Sequence, residues 1–218
     1  MKTVFLFTNL NGGRQFVKIA TQFAKDDCCQ CVVVLSSRNW LKLEGLVLLK
    51  YRLKLWLFAL RFSLYKNVKV HLSNAINSDS YFGHLTPDDI GIVAGFDQIF
   101  GADLIKQFGS LVNFHWSLLP YYRGPVPTYW CLMNNENKTG ITLHYLSEEI
   151  DKGQIIHQQV EEIDTGEEEW TLRARLWQKA CPIFRAWLAH LTEGKQFAGS
   201  LVDARSIYKV PVDYKSFP

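Results

Sequence analysis

Short apolar runs alternate with segments of helical periodicity through the first half of the chain. The apolar runs at residues 3–7, 31–35, 68–71, 90–94 and 111–114 predict β-strands. Residues 15–24, 41–64 and 104–108 predict helices. Buried strands that alternate with helices are typical of a parallel, doubly wound sheet. We therefore predict an α/β fold, with a Rossmann-like, mostly parallel twisted sheet and flanking helices.

The pattern changes after Gly140. Residues 141–146 and 154–160 predict two strands joined by a loop, and residues 167–191 predict one long amphipathic helix that Pro182 is expected to kink or divide. No linker divides the chain, so we expect one domain over residues 1–195. Residues 196–218 are expected to form a C-terminal tail that packs on or beside it.

Composition adds limits on function. The 218 residues are 48% hydrophobic and 21% charged, which is ordinary for a globular domain and excludes a disordered or collagen-like chain. The formal net charge of +3 is too small to favour nucleic acid as a partner. The apolar run at the N-terminus is too short for a signal peptide, and charges interrupt residues 41–62. We expect no transmembrane segment.

The five cysteines are an odd number, and Cys28, Cys29 and Cys31 lie close together. This arrangement does not resemble a secreted disulfide framework, and its spacing is unusual for a zinc site. We interpret the three residues as small apolar side chains that lead into a buried strand. A reduced, cytoplasmic protein without a metal site is expected.

The most informative motif is Asn-x-His-x-Ser-Leu-Leu-Pro, which begins at Asn113 at the end of a predicted strand. Residues two apart on an extended strand point to the same side, so the Asn113 and His115 side chains should lie together. Ligands of open parallel sheets bind at the carboxyl ends of the strands. For this pair alone, a hydrogen bond that closes a loop remains the competing interpretation.

A second motif follows as Gly-Ile-Thr-x-His, ending at His144, and then as Asp-x-Gly-x-Ile-Ile from Asp151. In order and spacing, the two motifs together resemble the formyltransferase family that uses 10-formyltetrahydrofolate. The resemblance is specific over residues 92–156 and looser elsewhere. It implies a formyltransferase core and 10-formyltetrahydrofolate-dependent N-formyl transfer to a primary amine.

The resemblance places the family's catalytic residues on Asn113, His115 and Asp151. It implies that the Asn113 amide and a protonated His115 stabilise a tetrahedral oxyanion. Asp151 would orient His115, favour its charged form and help to remove the amine proton. His144 is interpreted as supporting or structural, and no metal is required.

The resemblance also places the folate. A loop whose backbone binds the pterin falls on Phe96, Asp97, Gln98, Ile99 and Phe100, and a covering loop on Glu148, Glu149 and Ile150. For the apolar members, ordinary core packing is an equal alternative. Substrate contacts are expected from the first loop and from the segment after the motif: Asn11, Gly12, Gly13, Arg14, Tyr122, Arg123 and Gly124.

The acceptor amine is left open among several that the family formylates. Only a short segment follows the Asp151 loop, which disfavours methionyl-tRNA and leaves a small phosphorylated amine as the expected partner. Aromatic residues around Arg123 favour a nucleotide-linked amino sugar. Glycinamide ribonucleotide, an aminoacyl group on a peptide-synthetase carrier and a non-catalytic folate- or nucleotide-binding module are the alternatives. A homodimer is also left open.

Residues 50–69 hold six cations and no acid, and the resemblance does not explain them. The favoured interpretation is a helix with one solvated face and one apolar face on the core. Contact with substrate phosphates, an anionic carrier, a partner subunit or a membrane surface is also considered.

Overall fold

The structure, a computed structural model, describes residues 2–9, 13–38 and 45–197. Its strands form one seven-stranded sheet in the order β3-β2-β1-β4-β5-β6-β7. The first five strands are parallel, and β6 and β7 are antiparallel additions beside β5. The strand bounds are β1 Thr3–Thr8, β2 Gln30–Ser36, β3 Val68–Ser73, β4 Ile90–Ala94, β5 Ser110–His115, β6 Lys138–Tyr145 and β7 Ile155–Glu162. This topology confirms the predicted fold class.

Helices cover the sheet and complete two cores. The helix bounds are α1 Arg14–Lys25, α2 Gly45–Ser63, α3 Ala102–Gln107, α4 Pro127–Met133 and α5 Glu169–Glu193. One core joins α1 to α5, where the rings of Phe16 and Phe184 stack with centroids 4.1 Å apart. The other core is aromatic, with Phe7 at its centre, 4.9 Å from Phe100.

The predicted elements are present, with ends that differ by a few residues. The α4 helix was not predicted as a helix, although Pro127 occupies its first turn, where proline is favoured. The expectation that Pro182 divides the last helix is wrong, because α5 continues through it. Pro182 lies on the exposed side of α5, where a tilted carbonyl can turn to water.

The cysteine cluster packs as predicted at the entry to β2. All five cysteines are free thiols, and Cys29 and Cys31 are buried. Burial raises the pKa of the Cys29 thiol to about 12, so this thiol is protonated and packs as a small apolar group. No helix in the described ranges has the length and apolar content to cross a bilayer. Residues 198–218, most of the predicted tail, lie outside the described residues.

Candidate active site

Pairing between β5 and β6 assembles the centre of the candidate active site. Asn113 on β5 lies directly opposite His144 on the antiparallel β6, and His115 lies opposite Thr142. Opposed residues share one face of a sheet, so both motif residues of β5 share a face with two residues of β6. The Asn113 Nδ2 donates a hydrogen bond of 3.1 Å to His144 Nε2.

Asp151 joins this centre from the loop between β6 and β7. The residue has a left-handed backbone with φ of 51°. Its Oδ1 lies 3.4 Å from Asn113 Nδ2 and 3.6 Å from His144 Nε2. Its Oδ2 lies 3.5 Å from His115 Nδ1 and accepts a 2.8 Å hydrogen bond from the Gly124 backbone N–H. The three residues that the resemblance marked as catalytic therefore meet at one carboxylate.

His144, which the sequence predicted to be supporting or structural, is a direct neighbour of Asn113 and Asp151. Its Nδ1–H donates to the Tyr145 carbonyl oxygen at 2.9 Å, which leaves Nε2 as the acceptor for Asn113. This pairing fixes a neutral tautomer and holds the Asn113 amide in place. The two-residue spacing of Thr142 and His144 placed them on one face of a strand. The register that sets His144 opposite Asn113 could not be predicted from the sequence.

The segment after the motif closes over the trio through its backbone. His115 Nε2–H donates to the Tyr122 carbonyl oxygen at 2.8 Å, while the Tyr122 phenol donates to Glu136 at 2.5 Å. Burial and the bond to Glu136 raise the pKa of Tyr122 to about 12. Of the predicted substrate-binding residues here, Tyr122 and Gly124 thus contact His115 and Asp151 with backbone atoms.

A buried hydroxyl supports the turn that begins this segment. Thr142 Oγ1 donates to the Ser117 carbonyl oxygen at 2.6 Å and accepts a hydrogen bond from the Leu119 N–H at 3.1 Å. Gln158 on β7 donates to the same hydroxyl at 2.9 Å and to the Leu119 carbonyl at 2.7 Å. The path of the chain from His115 to Tyr122 is therefore fixed by β6 and β7.

The protonation states of Asp151 and His115 follow from burial and contacts. Burial alone would raise the pKa of Asp151, but the nearby His115 and the hydrogen bond from the Gly124 N–H outweigh it and hold that pKa well below its usual range. Burial lowers the pKa of His115, and Asp151 opposes this shift only in part. The expectation of a protonated His115 is corrected: at neutral pH its ring is neutral, because it is buried, and Asp151 is ionised.

The predicted folate loop follows β4, and its side chains divide into anchors and exposed groups. Gln98 is buried and turned inward, where its amide accepts from the Ile76 N–H at 2.8 Å and donates to the Ser73 carbonyl at 2.9 Å. Phe100 belongs to the aromatic core. These two side chains hold the loop, so the loop backbone and its exposed side chains remain for a ligand.

The remaining predicted folate residues lie near or at the surface. Ile99 and Ile150 are exposed apolar side chains, and Phe96 is half-buried against Phe7. A flat ring would cover such apolar surface favourably, so the residues present fit a pterin. Asp97, Glu148 and Glu149 are exposed; Glu148 pairs with Lys106, and Glu149 pairs with Lys152.

The first loop is described only in part, because Asn11 and Gly12 lie outside the described residues. Gly13 is buried, and a Cβ there would lie 1.9 Å from Thr8 Oγ1, so only glycine fits. The neighbouring Arg14 is exposed at the start of α1. Asn9 donates to the Gly95 carbonyl at 2.8 Å, which ties this loop to the folate loop.

These features define a class of site. A carboxylate, an imidazole and a carboxamide are held together at the carboxyl end of a parallel strand, beside loops from two further strands. Such a constellation can accept a proton and donate hydrogen bonds to a developing oxyanion. It is typical of an enzyme that transfers an acyl group to a nucleophile.

Comparison with known proteins agrees with this class. The model of the family described as Formyl transferase matches residues 6–186. The chain belongs to the formyl transferase family, whose members use 10-formyltetrahydrofolate. The predicted family is confirmed.

Individual relatives differ in their acceptors. The chain is 33% identical over 143 residues to the methionyl-tRNA formyltransferase of Citrifermentans bemidjiense, a match that covers 65% of this chain and 43% of that protein. The chain thus spans less than half the length of this curated relative.

Two solved structures share the fold. A sugar N-formyltransferase from Shewanella sp FDAARGOS_354 superposes with a TM-score of 0.68 at 20% identity, over 96% of this chain and 76% of that one. Glycinamide ribonucleotide transformylase 1 from Symbiobacterium toebii superposes with a TM-score of 0.65 at 17% identity, over 93% and 94%.

Proposed function

We propose that this protein is an N-formyltransferase that moves a formyl group from 10-formyltetrahydrofolate to the primary amine of a nucleotide-linked amino sugar. The observation that carries the transfer step is the ionised Asp151 carboxylate, which lies within 3.6 Å of Asn113, His115 and His144. The acceptor class rests on the aromatic and cationic residues near this carboxylate and has its own assay.

The proton of the attacking amine has a defined destination. At neutral pH, His115 donates through Nε2 and keeps a lone pair on Nδ1, which faces the ionised Asp151 carboxylate across 3.5 Å. A lone pair beside an anion accepts a proton readily, because the charged imidazolium then forms an ion pair. The amine loses one proton as its nitrogen bonds to the formyl carbon. N10 of the folate takes up one proton as its bond to that carbon breaks, so the pair shuttles a proton between the two nitrogens.

The oxygen of the formyl group becomes negatively charged in the tetrahedral intermediate. One Asn113 Nδ2 hydrogen is held by His144 at 3.1 Å, so the second hydrogen, which faces Asp151 at the longer distance of 3.4 Å, is the one that turns to this oxygen. A preorganised donor of this kind contributes about 3–4 kcal/mol to transition-state stabilisation. Once it carries the amine proton, the His115 ring adds a positive charge nearby.

The acceptor is proposed from residues beside the trio. Tyr129 on α4 is exposed and lies edge-to-face with Trp130, with ring centroids 5.3 Å apart. The segment at Tyr122, Arg123 and Gly124 contacts the Asp151 carboxylate and supplies a cation, and the aromatic pair follows a few residues later on α4. Such surface suits the ring of a base or sugar and a phosphate. The exposed Arg14 at the start of α1 is a second cation for phosphate.

The acceptor test is a panel assay with 10-formyltetrahydrofolate. The panel contains nucleotide-linked 3-amino and 4-amino sugars, glycinamide ribonucleotide, an aminoacyl carrier domain and methionyl-tRNA. Product masses are measured, and we expect a gain of one formyl group on an amino sugar. Formylation of another panel member alone would overturn the acceptor and keep the reaction. Binding of folate without transfer to any amine would favour a non-catalytic module.

A further inference from the structure

The α2 helix has two apolar faces, and among the described residues one of them packs into the core while the other is exposed. Phe58 and Phe62 point inward and are buried in the core shared with α1 and α5, and Tyr51 and Leu55 pack beside them. This inner face is the apolar face that the sequence predicted. The other face is exposed to solvent, as predicted, but it is mostly apolar rather than charged.

The outer face carries a continuous stripe of large apolar side chains. They recur every three or four residues, so they fall on one side of the helix and its immediate extension. Their exposed fractions range from 45% to 77%. The stripe consists of Leu46, Leu49, Leu53, Trp56, Leu57, Leu60 and Leu64. Contiguous exposed apolar surface of this kind marks an interaction site.

Cations border the stripe. Lys50 and Arg61 fall on one side of it at helical spacing, with the half-buried Lys54 between them, and Arg52 falls on the other side. Residues 45–78 contain six cations and no acid, although the whole chain is nearly balanced at 24 basic and 21 acidic residues. The surroundings of the stripe are therefore strongly and uniformly positive.

We propose that the outer stripe of α2 docks this protein on an anionic phospholipid bilayer, with the helix lying in the interface. An apolar stripe bordered by cations matches the acyl region and the negative headgroups of such a surface. Trp56, near the middle of the stripe, is the side chain that such an interface favours. The helix would lie on the bilayer without crossing it, in keeping with the absence of a spanning helix in the described residues.

Charge argues against two other occupants. A second copy that met the first through the same face would bring two sets of cations together, which is repulsive in an otherwise apolar contact. The 21 residues from 198 to 218 hold three cations and two acids, so they offer no net negative charge to the border of the stripe. An anionic bilayer supplies both the apolar and the negative partner.

The test is flotation of the full-length chain with vesicles of phosphatidylcholine alone or with added phosphatidylglycerol. We expect binding to the anionic vesicles that weakens with added salt. Replacing Leu53 and Trp56 together with Gln should abolish binding, since both side chains are exposed and their loss leaves the core intact. Replacing Lys50, Arg52 and Arg61 with Gln should weaken binding by about fivefold for each cation removed.

A matched control is Trp170→Gln, because Trp170 is exposed to a similar degree but lies at the start of α5, outside the stripe. Its binding should equal that of the parent protein. Unchanged melting temperatures show that each variant is folded. Equal binding to neutral and anionic vesicles, no binding at all, or a dimer that Leu53→Gln converts to a monomer would overturn the proposal.

Discussion

The corner where Asp151 meets β5 and β6 buries a charged side chain, whereas the outer face of α2 exposes apolar side chains. Both depart from the usual distribution of side chains in a folded protein. In the corner, Asp151 is a mostly buried carboxylate with four polar neighbours. On α2, a stripe of Leu and Trp faces solvent. A buried charge must be paired, and exposed apolar surface gains from a cover. The charge in the corner is thus paired by groups of the same chain, whereas the apolar stripe of α2 would be stabilised by a partner that covers it.

The corner gives the largest expected effect. Asp151→Asn keeps the shape but removes the charge that stabilises a protonated His115, so the His115 ring accepts the amine proton less readily. We expect kcat to fall about 10³-fold to 10⁴-fold, at the upper end of general-base effects. Initial rates with the preferred amine measure this. Asp164→Asn, which changes an exposed acid between β7 and α5, should retain the parent rate. Near-parental turnover of Asp151→Asn would contradict the proton shuttle.

Removing the oxyanion donor gives the next effect. Asn113→Ala should lower kcat by about 10²-fold to 10³-fold, as loss of one preorganised donor does. The KM for the amine should change little, because the donor acts in the transition state. Asn74→Ala, an exposed site, serves as the control. A rise in KM with unchanged kcat would assign Asn113 to substrate binding instead.

The pH profile distinguishes the roles of Asp151 and His115. The transfer needs His115 neutral and Asp151 ionised, and burial lowers the pKa of His115. The rate should therefore be flat through neutrality and fall only at pH values below about 6.5, the usual histidine pKa, by tenfold per unit once the ring is protonated. A profile of kcat/KM from pH 5 to 9 measures this. An acid limb centred above neutrality would mean a protonated His115 in the free enzyme.

The two regions should also differ in how strongly a substitution changes the free energy of unfolding. Thr142→Val removes the hydroxyl that links Ser117, Leu119 and Gln158, so the Ser117 carbonyl and the Leu119 N–H lose this partner. We expect a loss of about 1–3 kcal/mol in the free energy of unfolding. Urea titration measures it, and an unchanged midpoint would show that water or rearrangement replaces the hydroxyl.

The outer face of α2 should respond least. Leu53→Gln alters an exposed side chain and should change the free energy of unfolding by no more than about 0.5 kcal/mol. The same urea titration provides the comparison with Thr142→Val. A loss of several kcal/mol would mean that the stripe packs against the protein itself and is not an exposed surface.

The sequence predicted the strands well, because continuous apolar runs have one common solution in an α/β fold. The sequence also predicted Asn113, His115 and Asp151 as catalytic residues, because the order and spacing of the motifs resemble those of the family. The register of β5 against β6, which sets His144 beside Asn113, depends on long-range pairing that periodicity does not encode.

The burial of His115 was not predictable for a related reason. Its ring is enclosed by the segment at Tyr122 and by Asp151, which are distant in sequence, so the direction of its pKa shift became clear only from the fold. The α2 helix is apolar on most of its circumference, and periodicity could not tell which face meets the core. Exposure in the folded chain identified the outer stripe.

The central claim is direct transfer of the formyl group to an amine at the Asp151 corner. Its most direct test is a single turnover with 10-formyltetrahydrofolate that carries ¹³C in the formyl carbon, followed by NMR. We expect the label to move into the amide of the acceptor, with one tetrahydrofolate formed for each amide. The Asp151→Asn variant should form neither the amide nor tetrahydrofolate. Release of the label as free formate, or amide formation at the parent rate in Asp151→Asn, would contradict it.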